Sequence, residues 1–205
     1  MDASQSFPNS LQTFTLAELA QFTNTGCYAS DASPDFHLFY VGQDNVHEAL
    51  KYVIERVCIS LHLNQFGYDD DELNDLIWQK VEDPNVLVMI TLDKSQAGGV
   101  HEKKLLDRDR QQSLADFNTH FVVGQSATHQ ISHTKGFVAD GRVGAEGSTN
   151  WSASGEGIFV VKGKPGGPGF VAQNNTQSFF TCPATIREFQ ARLIAEHMVA
   201  QAQSV

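Results

Sequence analysis

Apolar and polar positions along this chain switch period repeatedly, marking a series of alternating strands and helices. Residues 36–41 form an apolar run that stops at Gly42 and reads as a first strand. Asn45 stands where a helix N-cap belongs, and Val46, Ala49, Leu50, Val53 and Ile54 recur at helical spacing as far as Arg56. Residues 57–63 take the two-residue period of a half-buried strand. Residues 69–81 return to helical spacing, and Asp69, Asp70, Asp71 and Glu72 at their start complement the positive end of a helix dipole. Residues 86–92 are almost continuously apolar, as in a strand buried on both faces.

A polar helix over residues 103–117 comes next, then strands near 121–123, 130–139 and 143–147. The order of strands and helices predicts an α/β layered fold with a mixed, largely parallel sheet flanked by helices. Residues 158–161 look like a strand, and the glycine-rich segment 163–169 reads as a hairpin connection. It is not a P-loop, because Pro165 stands where Ser or Thr is needed and no helix follows. Residues 181–200 close the chain with a helix that has Pro183 near its start and Ile186, Phe189, Leu193 and Ile194 as its apolar stripe. Residues 1–35, rich in Ser, Thr, Asn and Gln with one short amphipathic stretch at 16–22, read as an N-terminal extension or lid before a main domain of residues 36–205.

Composition narrows the class. With 205 residues, 41% of them hydrophobic, the chain can build a full core without staples, and the odd set Cys27, Cys58 and Cys182 gives no disulfide framework or zinc module. No stretch is long and apolar enough for a membrane span, and the first residues lack the positive and apolar regions of a signal peptide, so a cytoplasmic protein without stable membrane insertion is expected. The charge of −10 is uneven: residues 1–93 hold 15 acidic and 3 basic side chains, residues 94–205 hold 9 and 11. The second half can therefore face a phosphate, although the overall field slows the approach of a polyanion.

Candidate chemistry lies in that second half. His133 and Lys135, two apart in a segment read as strand, share a face; Ser148 and Asn150 repeat the spacing downstream. A histidine, a cation, a hydroxyl and an amide converging on one spot make an anion pocket that contains a nucleophile. The pattern His133-x-Lys135-x4-Asp140-x6-Gly147-Ser148-x-Asn150 resembles the HKD motif of the phospholipase D superfamily, with six identities at fixed spacing over 18 residues. The likeness extends over residues 36 to about 200, including Asn174-Asn175 before the last strand and helix.

The resemblance implies a phospholipase D-like fold and metal-independent phosphodiester transfer through a phosphohistidine, with no cofactor. The substrate class is a phospholipid or a nucleic acid. Lys135 and Asn150 are implied to clamp phosphate oxygens with Ser148 assisting, and Asp140 to play a structural or orienting part. The superfamily reaction uses two motifs and this chain has one, so the resemblance implies a homodimer like the small bacterial single-motif endonucleases, with the two copies of His133 meeting at the interface. Members often carry a Glu after the Asn to orient the catalytic imidazole. This chain has no acid at 174–177, which leaves Glu156, or an amide from Asn175 or Gln177, as the replacement. The missing Glu also motivates a different class, a non-catalytic phosphate-binding or scaffold protein that keeps the fold.

Other features take simpler readings. Residues 69–72 lack the glycine and ligand spacing of a calcium loop and read as a solvated helix start. His129 and His133, four apart in a strand-like segment, are poorly placed for a metal. His62, His101 and His120 read as satisfied surface or core histidines, Trp151 as packing, and Lys103, Lys104, Arg108 and Arg110 as a solvated helix face or a basic strip.

Overall fold

The computed structural model describes residues 10–126, 128 and 130–203. Strands β1 (Phe36–Tyr40), β2 (Ser60–Gln65), β3 (Leu87–Asp93), β4 (Phe121–Gly124), β5 (Gly136–Ala139), β6 (Val143–Gly147) and β7 (Thr176–Phe180) form one sheet in the order β1-β7-β6-β5-β2-β3-β4. Only the β2–β3 and β3–β4 ladders are parallel. The other four are antiparallel, which corrects the expected largely parallel sheet. The expected crossovers do occur between residues 60 and 124. Beyond them, the chain turns back at Asp140-Gly141, both at positive φ, and β5 and β6 become a hairpin.

Helices α1 (Val46–Glu55), α2 (Asp71–Val81), α3 (Val100–Gln112), α4 (Leu114–His120), α5 (Ile158–Val161) and α6 (Pro183–Gln203) complete the chain, with a 3-10 segment at Leu16–Phe22. Asn45 caps α1 by accepting from the Glu48 amide, and Asp70 caps α2 by accepting from Leu73. The expected 103–117 helix is two helices that divide at Ser113, and residues 158–161 form a helical turn where a strand was expected, entered through Gly157 at φ 64°. β2 begins at Ser60 and is buried at every position, so residues 57–63 are not a half-buried strand. With strands on both sides and helices on both faces, β2 has no solvent side.

One face of the sheet carries the main core, in which Phe39, Val53, Ile54, Leu63, Ile77, Ile90 and Phe179 are buried together. Leu11, Leu16 and Leu19 from the N-terminal segment join the same core. The opposite face is covered by α6, whose Ile186 and Leu193 pack with Val138 and Phe180. β1 is an edge strand that, among the described residues, forms a ladder with β7 alone, and Phe36, Leu38 and Tyr40 on its outer side are about half exposed. No helix among the described residues is long and apolar enough to cross a membrane. The three cysteines are free thiols.

Between α6 and the sheet lie two buried histidines, His62 with its Nδ1 3.3 Å from Gln190 and His197 with its Nδ1 3.1 Å from the Thr91 hydroxyl. Burial lowers both pKa values, and each imidazolium would repel the other. A histidine depressed in the folded state contributes stability that is present above the unfolded value of about 6.5 and lost as pH falls through the folded value. Thermal unfolding followed from pH 7 to pH 5 should therefore show a shallower loss of stability in a His62→Gln/His197→Gln double variant than in the wild type. An equal slope would refute the assignment.

Candidate active site

The end of β2 organises the site. β5 and β6 pair with Gly136 opposite Glu146, and the Gly147 amide donates to the Lys135 carbonyl at 3.2 Å. That register sets the His133–Lys135 segment beside the Gly147–Asn150 segment. Both then meet Phe66 and Gly67, the two residues after β2. The His133 ring lies edge-on to Phe66 with centroids 4.5 Å apart, and the Lys135 ammonium sits 4.9 Å from the same ring centroid. Gly67 accepts from the Trp151 amide at 2.9 Å and lies against the Asn150 side chain.

His133 and Lys135 are not in a strand, contrary to the expected 130–139 strand, because β5 starts at Gly136. Residues 130–135 are held by other means. The Ser132 amide donates to Asp93 Oδ2 at 2.5 Å, and the Asn64 side chain donates to the Ser132 hydroxyl at 3.0 Å. The imidazole of His133 is exposed, whereas Lys135 is only 3% exposed. The ammonium donates to the His133 carbonyl at 2.9 Å, and among the described residues it makes no ion pair. Burial pushes the Lys135 pKa down, opposed by the more distant Glu146, whose own carboxyl burial pushes up. Taking an ammonium out of water without an ion pair is costly, and a neighbouring anion would offset that cost.

Asn150 is half-buried, and its Oδ1 is buried with no hydrogen-bond partner. Ser148 is exposed; its hydroxyl accepts from the Thr176 amide at 3.0 Å, tying this loop to β7. Asp140, in the left-handed region at φ 52°, turns its carboxylate onto the amides of Cys58, Ile59 and Ser60 at 2.8–3.2 Å, away from the His133–Lys135 pair and into the start of β2.

The candidates for orienting His133 lie elsewhere. Glu156 is fully buried and bonds His47 Nδ1 at 2.6 Å. Asn175 donates to the Gly155 carbonyl, and Gln177 to the Ser178 carbonyl. Among the described residues, the His133 imidazole has no hydrogen-bond partner. His129 lies outside the described residues. Arg108 is occupied by Asp71, Asp75 and Asp109 and Arg110 by Asp107, so these two do not form a free basic strip. Trp151 packs in the core beside Tyr68.

Phe66 and Gly67 escaped the sequence reading. The signal available was a glycine directly after a buried strand, where close approach of another segment is common. A Cβ on Gly67 would stand 2.9 Å from Asn150 Cβ and Cγ, so Gly67→Ala must displace the amide. If Asn150 serves a catalytic site here, turnover is expected to fall roughly tenfold with the thermal transition nearly unchanged. Unchanged turnover would mean that Asn150 has no place in the site.

No model of a known protein family matches the chain, and no curated protein does. Solved structures do. Nuc from Salmonella typhimurium, described as a phospholipase D family member, superposes with a TM-score of 0.56 at 14% identity, over 78% of this chain and 92% of that one. NucT from Helicobacter pylori gives 0.56 at 13% identity, over 78% and 94%. Phosphatidylserine synthase from Haemophilus influenzae gives 0.60 at 14% identity, over 80% of this chain but 37% of that one. The chain has the phospholipase D fold.

Proposed function

We propose that this protein is a metal-independent phosphodiester hydrolase that works through a phosphohistidine at a site shared by two copies of the chain. The observation that carries the reading is the buried Lys135 ammonium, without a counter-ion, beside the exposed His133 imidazole. A phosphodiester supplies the missing negative charge, and Lys135 with Asn150 holds its oxygens while charge builds on them in the transition state. Ser148 assists from the loop edge.

Neutral His133 attacks phosphorus and forms an N–P bond while the partner subunit's His133, as imidazolium, gives its proton to the departing oxygen. Water then attacks the same phosphorus, the partner's His133 takes its proton, and the N–P bond breaks. The two imidazoles need opposite protonation states, so the pair should give a bell-shaped pH profile. The lack of an orienting partner for His133 among the described residues of one chain agrees with a site that is completed by a second copy.

Hydrolysis of a chromogenic phosphodiester in excess chelator, well below the unfolding temperature, tests the reading. Activity in the wild type and none in His133→Ala is the expected result. Equal activity in both, or a monomeric mass at micromolar concentration, would overturn it. Inactivity in both, with retained binding of phosphate, would favour a phosphate-binding protein that keeps the fold. Salt separates the substrates: binding of a nucleic acid weakens steeply with added salt, whereas lipid turnover follows the lipid surface.

A further inference from the structure

The strongest unexplained feature is a buried charged cluster behind the loop that carries Asn150. We propose that His47, Asp70 and Glu156 form a site for one divalent transition-metal ion, zinc by the chemistry of the donors, which fastens that loop to α1 and α2. The three residues come from separate parts of the chain: His47 from the first turn of α1, Asp70 from the cap of α2, and Glu156 from the loop after Trp151. They are 1%, 7% and 0% exposed.

One imidazole nitrogen and one oxygen from each carboxylate all lie within 4.8 Å of one another. His47 Nδ1 is 2.6 Å from Glu156 Oε2 and 3.5 Å from Asp70 Oδ2. Donors bound to zinc at about 2.1 Å stand roughly 3–4 Å apart, so shifts of about an ångström bring all three onto one ion. The remaining atoms fit this assignment. Asp70 spends Oδ1 on the Leu73 amide at 2.7 Å, which leaves Oδ2 for an ion. Glu156 Oε1 is buried with no hydrogen-bond partner, a costly state that a metal bond relieves.

The other side of the imidazole is also prepared. His47 Nε2 faces Glu72 Oε2 at 3.3 Å, and Lys51 holds that carboxylate at 2.7 Å. A carboxylate accepting from Nε2–H fixes the tautomer that turns the Nδ1 lone pair inward, the usual support behind a metal-binding histidine. Glu48 and Glu72 also gather near His47, but the Lys51 ammonium already serves both.

Charge balance points the same way. An imidazolium between two buried carboxylates leaves one negative charge uncompensated, and burial pushes the Glu156 carboxyl up to about 7. A divalent ion with neutral imidazole and two carboxylates sums to zero. Binding would displace the proton shared by His47 and Glu156. The ion takes no part in the proposed chemistry, because its ligands do not include His133, Lys135 or Asn150.

The test is independent of activity. Protein stripped with a chelator, reloaded with zinc and freed of excess by gel filtration should retain about one zinc per chain. Zinc should also raise the melting temperature by several degrees over the stripped form. Asp70→Asn preserves the helix cap while removing a charged ligand, and Glu156→Gln removes the other; both should lose the retained zinc and the thermal shift. Wild type that retains no more zinc than these variants, or an equal thermal shift in all three, would overturn the proposal and leave a proton-bridged ion pair. Loss of hydrolysis by His133→Ala bears only on the proposed function.

Discussion

Wild-type subunits mixed and reassembled with a ninefold excess of His133→Ala subunits should lose about nine-tenths of their activity per wild-type chain. Random pairing leaves only about a tenth of the wild-type chains with a wild-type partner, and a mixed dimer holds a single imidazole that cannot serve as both nucleophile and acid. The pure His133→Ala protein should fall by at least about a thousandfold, since it loses the covalent step together with a proton transfer worth roughly 10²–10⁴. Lys135→Met, which leaves the imidazoles in place, should weaken phosphate binding while sparing the proton transfers. Activity per wild-type chain that does not change on mixing would mean that each subunit carries a whole site, and the shared-site reading would fail.

Asp140→Ala is expected to produce the largest loss of stability of any single change at the motif, about 3 kcal/mol by urea unfolding. One carboxylate accepts from three successive backbone amides, Cys58, Ile59 and Ser60. Removing the acceptor strips charge-assisted hydrogen bonds from the first turn of a central strand, each such bond contributing on the order of 1.5–3 kcal/mol before water partly replaces it. Alanine also fits poorly at φ 52°, adding about 1 kcal/mol. Asp140→Asn tolerates that backbone and keeps one acceptor, so it should lose about half as much. A loss below about 1 kcal/mol for Asp140→Ala would show that β2 does not depend on this contact.

These two residues mark how far the sequence could be read. Elements with one dominant period came through: Asn45 and the stripe from Val46 to Ile54 made α1, the apolar run before Asp93 made β3, and Ile186 to Leu193 made the inner side of α6. Motif spacing also carried real geometry, since the β5–β6 register sets Lys135 beside Gly147.

Failures came where distant segments overrode the local pattern. Residues 130–135 alternate like a strand, but Asp93 takes the Ser132 amide that a ladder would use, and Asn64 holds the Ser132 hydroxyl. The Asp140-Gly141 pair is a hairpin signal that points to antiparallel pairing, and a reading built on the strand-helix rhythm before it passes that signal by. Phe66, Gly67 and the His47–Glu156 contact depend on approaches across the fold, the last spanning 109 positions, which no local window contains. Ile158 to Val161 favour a strand by composition, yet they follow a glycine bend and close a single helical turn.

The pairing of β1 with β7 sets a constraint on synthesis. Among the described residues β1 forms its ladder with β7, so Phe36–Tyr40 must wait for more than a hundred further residues before its backbone is satisfied. During that interval an unpaired edge with Phe36, Leu38 and Tyr40 along one side is open to other chains. The β2–α2–β3 unit, whose contacts are nearer in sequence, can assemble meanwhile, whereas closure of the edge is a late, long-range event. A nascent chain that stays solitary until the edge closes is spared this pairing, so slower initiation or a holding chaperone should improve recovery of the folded protein.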